Sequence, residues 1–225
     1  MELEDKVVLI TGSSNGIGRE TAIAFAKKGS NVIVTYHHDK ENAQQVFQLC
    51  NKIKKSLLVE LDVQEDASIE NCFKKISEEY RFIDILINNA GIASWKSLTE
   101  QTSDEIKSQI DTNLTGLIKM TKAALPYMNK NGYIINISSG AGKKGHENLT
   151  IYCATKFGVR GFTEALALEL TNGIKTYSLN PGKTATLMTD FVGNPPSKIA
   201  ELILKTVYGE IKVNSGEDID LWKYL

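Results

Sequence analysis

Short runs of β-branched and aliphatic residues alternate along this chain with longer stretches of helical period, and few folds accommodate that rhythm. Lys6 to Thr11 reads as a strand; Ile17 to Lys28 reads as a helix, with Ile17, Thr21, Ala24 and Phe25 on one face before a stop at Gly29. Asn31 to Tyr36 is a second strand, Glu41 to Asn51 a helix, Ser56 to Leu61 a third strand and Asp66 to Tyr80 another helix. Phe82 to Asn88 is apolar on both faces, as a central strand covered by helices on each side must be. From Ser103 to Asn129 an apolar stripe of Ile106, Ile110, Leu114, Leu117, Ile118 and Ala124 predicts one long helix, opened by Ser103 and bent at its last turn by Pro126. A fifth strand follows at Tyr133 to Ile137, then a helix over Ile151 to Leu170 and a sixth strand at Lys175 to Leu179. Asn194-Pro195-Pro196-Ser197 opens a last helix running to Tyr208, and Asp218 to Trp222 reads as a seventh strand. Successive βαβ units of this kind predict an α/β fold, a doubly wound parallel sheet of about seven strands with helices on both faces.

Composition narrows what such a sheet does. With 26 Lys and Arg against 27 Asp and Glu the net charge is −1, which gives no electrostatic reason to expect a nucleic-acid partner or an anionic membrane surface. The chain of 225 residues shows no internal repeat and no Gly, Ser or Pro-rich linker, so 1–225 is read as one domain. Its start, Met-Glu-Leu-Glu-Asp-Lys, is acidic where a secretory signal is basic, and its apolar runs fall far short of the roughly 20 residues that cross a bilayer. A cytoplasmic protein without a membrane partner is expected. Cys50, Cys72 and Cys153 suit neither a disulfide framework nor a CxxC motif, and His37, His38 and His146 lack ligand spacing, so no metal is predicted.

Thr11-Gly12-Ser13-Ser14-Asn15-Gly16-Ile17-Gly18 lies between the first strand and first helix, where a Rossmann-type sheet turns a helix N-terminus toward a dinucleotide pyrophosphate. Gly12 allows the tight turn, Gly16 a close backbone approach to phosphate, and Gly18 close packing of helix on strand. A glycine-rich turn alone is a weak signal. Its GxxxGxG spacing is joined by Asp62-Val63, Asn88-Asn89-Ala90-Gly91, Asn113, Ser138-Ser139, Tyr152 with Lys156, and Asn180-Pro181-Gly182. Together, in this order, these residues resemble the short-chain dehydrogenase/reductase family, in particular its shorter 3-oxoacyl-carrier-protein reductase-like members.

Tyr152 and Lys156 are four apart on a predicted helix and so share a face. An ammonium beside a phenol favours the phenolate and lowers a pKa that is otherwise near 10, making Tyr152 a usable acid or base. Ser139 ends the fifth strand, at the edge where such sheets bind ligands. The resemblance implies hydride transfer between nicotinamide and a carbonyl or carbinol carbon. In it Tyr152 moves the proton, Ser139 hydrogen-bonds the substrate oxygen, Lys156 also holds the nicotinamide ribose, and Asn113 anchors a water linking Lys156 to solvent. The expected cofactor residues are Gly12, Ser14, Asn15, Gly16, Ile17 and Gly18 at the turn. They continue with Asp62 and Val63 at the adenine, or Asp62 as a helix N-cap, and with Asn88, Ala90 and Gly91 by the adenosine ribose. Pro181, Gly182, Thr184 and Thr186 match a Pro-Gly-x-x-x-Thr element beside the nicotinamide amide, with Thr184 where relatives often carry Val or Ile.

An acidic residue closing the second strand would bind a ribose 2′-hydroxyl and repel a 2′-phosphate. Tyr36 holds that place here, followed by His37, His38 and Lys40, so NADP(H) is favoured, with NAD(H) the alternative. The resemblance further implies a homodimer or homotetramer built through the long helices, and a substrate region at about 184–225 that is shorter than in relatives. Two other readings stand beside the oxidoreductase. One is a non-catalytic dinucleotide-binding regulator, against which the Asn113, Ser139, Tyr152 and Lys156 set argues; the other is a sugar-nucleotide epimerase, whose relatives have a GxxGxxG turn and a larger C-terminal lobe.

Overall fold

The β-branched runs pair side by side in one parallel sheet, seen in a computed structural model that describes residues 1–225. The strands are β1 (Val7–Ile10), β2 (Asn31–Tyr36), β3 (Leu57–Glu60), β4 (Ile83–Asn88), β5 (Met128–Ile137), β6 (Lys175–Asn180) and β7 (Asp218–Asp220). They lie in the order β3-β2-β1-β4-β5-β6-β7, every neighbouring pair parallel. The chain winds outward from β1 to β3, returns to place β4 against β1, and winds outward again to β7. The reversal between β1 and β4 opens a crevice at the carboxyl ends of the strands.

The helices are α1 (Gly16–Lys27), α2 (Lys40–Asn51), α3 (Asp66–Glu79), α4 (Ser103–Ile110), α5 (Gly116–Ala124), α6 (Thr150–Glu169) and α7 (Pro196–Tyr208). Strand alternation splits the core between them. Val8, Ile10, Ile85, Ile87 and Ile135 face one way, onto Phe25, Val46 and Ile203 of α1, α2 and α7. Leu9, Ile33, Leu86 and Ile134 face the other way, onto Phe73, Met120 and Leu166 of α3, α5 and α6. No helix is long and apolar enough to cross a membrane. The three cysteines are buried and unpaired, and burial pushes the Cys50 and Cys72 thiols up to about 12.

The long helix expected from Ser103 to Asn129 is broken. A π-helical turn over Asp111–Thr115 separates α4 from α5, and Asn113 sits buried inside it. Thr102, not Ser103, caps α4 in a reciprocal capping box with Glu105. Pro126 lies in a short 3-10 turn, Leu125–Tyr127, that ends the helix, and β5 begins at Met128, earlier than its β-branched residues indicate. Met128 pairs with Ile83 ahead of a bulge in the β4–β5 ladder, which the residue pattern does not reveal. At the far edge only Asp218–Asp220 is strand, and Trp222 falls in the 3-10 turn Leu221–Lys223.

A polar chain runs through the otherwise apolar layer on the α5 and α6 side. Asn88 Nδ2 donates to Thr121 Oγ1 (2.9 Å) and to Asn136 Oδ1 (2.8 Å), and Asn136 Nδ2 donates to Thr163 Oγ1 (2.9 Å). Two strands and two helices are thereby joined at fixed register. Removing a member strands its buried partners, at a cost of about 1–3 kcal/mol. Asn136→Ala is therefore expected to lower the urea midpoint without changing the slope of the transition, and an unchanged midpoint would show the chain to be dispensable.

Candidate active site

The glycine turn is held from below by its own neighbours. Thr11 Oγ1 accepts from the N–H groups of Asn89 and Ala90, both at 2.9 Å, and Asn89 Nδ2 donates to the carbonyls of Thr11 and Gly12, also at 2.9 Å. Gly12, at φ 63°, approaches so closely that a side-chain carbon there would stand 3.0 Å from Ala90 Cα; one on Gly18 would stand 2.3 Å from the Gly12 carbonyl oxygen. Gly18 thus packs α1 onto the turn rather than lining the cleft, as its expected task requires. The first turn of α1 is left uncapped, since the Asn15 side chain makes no cap bond. Its free N–H groups and the helix dipole face the crevice, a ready anion site.

Above this turn lies a cleft of about 1060 Å³ at the carboxyl edge of the sheet. Gly12, Ser14, Asn15, Gly16 and Ile17 form one end; Asp62, Val63, Ala90 and Gly91 line its middle; Ser139, Tyr152, Lys156, Pro181, Gly182, Thr184 and Thr186 form the other end. Nearly all the expected site residues thus share one cavity, although they span most of the chain. Thr186 closes over the turn, its Cγ2 3.2 Å from where a carbon on Gly16 would stand.

Tyr152 and Lys156 project from one face of α6, with the Lys156 Nζ 5.6 Å from the Tyr152 ring centroid. That ammonium donates to the Ile137 carbonyl at 2.8 Å and is fully enclosed, and burial lowers it to about 8. The phenol behaves differently from the expectation. Burial pushes Tyr152 above its ordinary value, against a smaller lowering by the Ser139 hydroxyl. Among the protein's own groups, desolvation of the ring outweighs any help from the ammonium. Ser139 also accepts from the Ala141 N–H (3.1 Å), so it caps the Gly140–Gly142 turn while facing Tyr152. Ser138 instead turns inward and donates to the Lys156 carbonyl at 3.0 Å.

Besides Gly18, three expected residues stand outside the cleft. Asn88 belongs to the buried polar chain already described. Tyr36 is 7% exposed, and its ring packs in the core, because the alternation of β2 turns it away from the crevice. The cleft is met there by His37, His38 and Asp39 instead. Asn113 lies behind Gly91: its Nδ2 donates to the Ile92 carbonyl (2.8 Å) and to Thr155 Oγ1 (3.2 Å), and its Oδ1 accepts from the Ile92 N–H (2.8 Å). The amide pins the loop after β4 to α6.

Asp62 does not cap α3, which begins at Asp66. Its carboxylate accepts from the Gln64 N–H (3.0 Å) and lies 3.2 Å from His37 Nε2. The residue pattern missed Asp39, an acid at the cleft whose carboxylate caps α2 through Asn42 and is held below the usual range by that hydrogen bond. Its position just ahead of a helical period was the available signal. Asn89, Ile92, Trp95, Leu149, Leu187, Met188 and Trp222 also line the cleft, and only tertiary packing brings these there.

The model of the short chain dehydrogenase family matches residues 6–196. The chain belongs to this family. It is, accordingly, an NAD(P)-dependent oxidoreductase. A 3-oxoacyl-[acyl-carrier-protein] reductase of Synechocystis sp. is 35% identical over 218 residues, covering 95% of this chain and 87% of the relative. A 3-ketodihydrosphingosine reductase of Bacteroides thetaiotaomicron is 37% identical over 191 residues, covering 84% and 67%. A short chain dehydrogenase from Burkholderia cenocepacia, solved in complex with NADP, superposes with a TM-score of 0.91 at 26% identity over 97% of each chain.

The burial of Lys156 carries a linkage consequence. Between about 8 and its ordinary 10.5 the unfolded chain binds a proton at Lys156 that the folded chain does not, so stability rises with pH across that window. Relative to Lys156→Met, the wild type is expected to gain roughly 2 kcal/mol between pH 8 and pH 10 and nothing below pH 7. Denaturant titrations at each pH measure this, and parallel stabilities would place the ammonium in contact with water.

Proposed function

We propose that the protein transfers hydride between NADP(H) and a carbonyl or alcohol carbon of an apolar small molecule, with Tyr152, Lys156, Ser139 and Asn113 as its proton-handling set. The observation that carries this reading is the convergence of Tyr152, Ser139 and Lys156 in the same cleft as an uncapped helix N-terminus. The residues present fit a dinucleotide. Gly12 and Gly16 lack the side chains that would fill the cradle, and the amides of Ser14 to Ile17 would hold its pyrophosphate. Asp62 and Val63 would flank the adenine, Ala90 and Gly91 the adjoining ribose, and Pro181 to Thr186 the nicotinamide amide. His37 and His38 supply donors at the ribose end, where the Asp39 carboxylate also lies; the NADP-bound structural relative supports the phosphorylated cofactor. When bound, the nicotinamide supplies or takes the hydride.

The chain's own groups handle the proton. A phenol held above its ordinary value stays protonated at neutral pH, which suits Tyr152 to donate its hydroxyl proton to a carbonyl oxygen in the reducing direction. Ser139 holds the same oxygen. Lys156, positioned by the Ile137 carbonyl, stands behind the phenol; Asn113 keeps the Ile92 loop and α6 in register around it. Ile92, Leu149, Leu187, Met188 and the two tryptophans line the substrate end, an apolar wall compatible with 3-oxoacyl thioesters.

Tyr152→Phe is expected to cut kcat by about 10²–10⁴ while cofactor binding persists. Absorbance at the reduced nicotinamide band, followed with NADPH and NADH against ketones, aldehydes, quinones and 3-oxoacyl thioesters, measures it. Cofactor binding with no turnover of any carbonyl would favour the regulatory reading. The same family fold supports an oligomer. Ile110 and Ile118 of the expected stripe, with Phe157 and Leu168 on α6, remain exposed, Leu168 at 88%. Light scattering at micromolar concentration is expected to give at least about twice 24.8 kDa, and a monomer mass would exclude this assembly.

A further inference from the structure

At the Ser139 loop, with Lys143 at the cleft and the rest behind it, lies a charge cluster that the proton chemistry does not use. Arg160 stands one helical turn past Lys156 on α6. Its Nε and Nη2 reach Asp218 Oδ2 at 2.7 and 2.5 Å, and its Nη1 donates to the Gly142 carbonyl at 2.5 Å. Lys143, the next residue of the loop, lies 3.3 Å from Asp218 Oδ2 and 3.2 Å from Asp220 Oδ1. Asp220 also accepts from Asn180 Nδ2 at 3.0 Å, immediately before Pro181 and Gly182, and pairs with Lys223 at 3.1 Å. Burial raises both carboxyls, but Arg160 and Lys143 at Asp218, and Asn180, Lys223 and Lys143 at Asp220, outweigh it and hold them below the usual range.

The cluster reaches the reacting groups through short links. Gly142 has no room to move toward α6: a carbon on it would stand 2.7 Å from Ser138 Oγ and 2.8 Å from the Lys156 carbonyl oxygen. On the other side, β7 has only three residues and pairs with β6 alone, so its ladder is a weak hold. Trp222 follows it after Leu221, with its ring 3.6 Å from where a carbon on Gly140 would stand, and it lines the cleft. A side-chain network that fixes both Gly142 and β7 therefore fixes Ser139 against Tyr152 and sets the distance of the Trp222 wall.

We propose that Arg160, Lys143, Asp218 and Asp220 are positioning residues that clamp the Ser139 loop and α6 to β7, making the C-terminal strand and Trp222 a working part of the substrate end. This rests on the reading of the cleft as the hydride-transfer site. The test uses Arg160→Met and Lys143→Met in the full chain, the second because its partly exposed side chain is the safer truncation for folding. Each is assayed for turnover, and again in a Trp95→Phe background, where Trp222 is the sole tryptophan, for emission and iodide quenching.

The clamp predicts about a tenfold fall in kcat, a cofactor KM within about twofold of wild type, and a red-shifted, more quenchable Trp222. Adding Arg160→Met to Asp218→Asn is expected to cause no further loss, because the two act as one unit. Trp222 emission at the wild-type position in both variants overturns the clamp, whatever the rates. Shifted emission with unchanged kcat, or a lowered melting point with kcat per folded enzyme intact, reduces the cluster to a strut and overturns positioning. The fluorescence is read without substrate, so failure to find a turned-over carbonyl leaves the test of the clamp standing and counts against the functional reading alone.

Discussion

Everything at the carboxyl edge depends on how closely the ends of β1 and β4 approach one another. The two strands lead the two halves of the winding, and their ends are tied by Thr11 and Asn89 through reciprocal bonds of backbone and side chain. That contact is possible because Gly12 and Gly18 have no side chains to hold the turn away from Ala90 and from itself. Once the turn is seated, α1 is aimed with its uncapped amides into the crevice. The loop after β4 is then carried to the place where Gly91 lies beside Asn113 and Lys156. The junction thus aims the positive end of the α1 dipole into the crevice and brings Gly91 against the buried ammonium of Lys156.

Burial is what gives the reacting end its character. An enclosed Lys156 is lowered to about 8, and the adjacent Tyr152 is raised, so the pair is less polarised in the protein alone than simple juxtaposition implies. Desolvation disfavours the charged form of each group, and it acts on both. The protein offsets the cost with the Ile137 carbonyl and the Ser139 hydroxyl, and supports these with a second layer made of Asn113, Ser138 and the Arg160 cluster. Asn113 comes from the π turn between α4 and α5, Ser138 from the end of β5 and Arg160 from α6, so the site requires these elements to be set together.

Much of this was legible in the order of the residues. The glycine turn is readable because a tight turn must fit glycine, and the shared face of Tyr152 and Lys156 because a helix brings positions four apart together; that these residues and Ser139 form one site is what the family resemblance implies. Other residues were misread for reasons equally physical. Tyr36 was placed at the ribose because it ends a strand, yet the pleat turns it into the core and leaves His37, His38 and Asp39 at the cleft. The resemblance places Asn88 beside the adenosine ribose with the rest of the Asn88 to Gly91 element, but an inward-facing amide in a central strand finds its partners in Asn136 and Thr121. The helix from Ser103 kept its apolar period across a π turn, and period alone does not register one inserted residue.

The sequence by itself determined the α/β winding and the glycine turn between β1 and α1, because both follow from short-range sterics and periodicity; it pointed to Tyr152, Lys156, Ser139 and Asn113 through the family resemblance that they carry together with the other motifs. Only the tertiary structure decided which of those groups are enclosed, what Asn113 and Asp62 bind, that Trp95 and Trp222 line the cleft, and that Arg160 pairs with Asp218 of β7. Those relations join residues far apart in the chain, and their energies depend on burial and on distances of a few ångströms that no local pattern encodes.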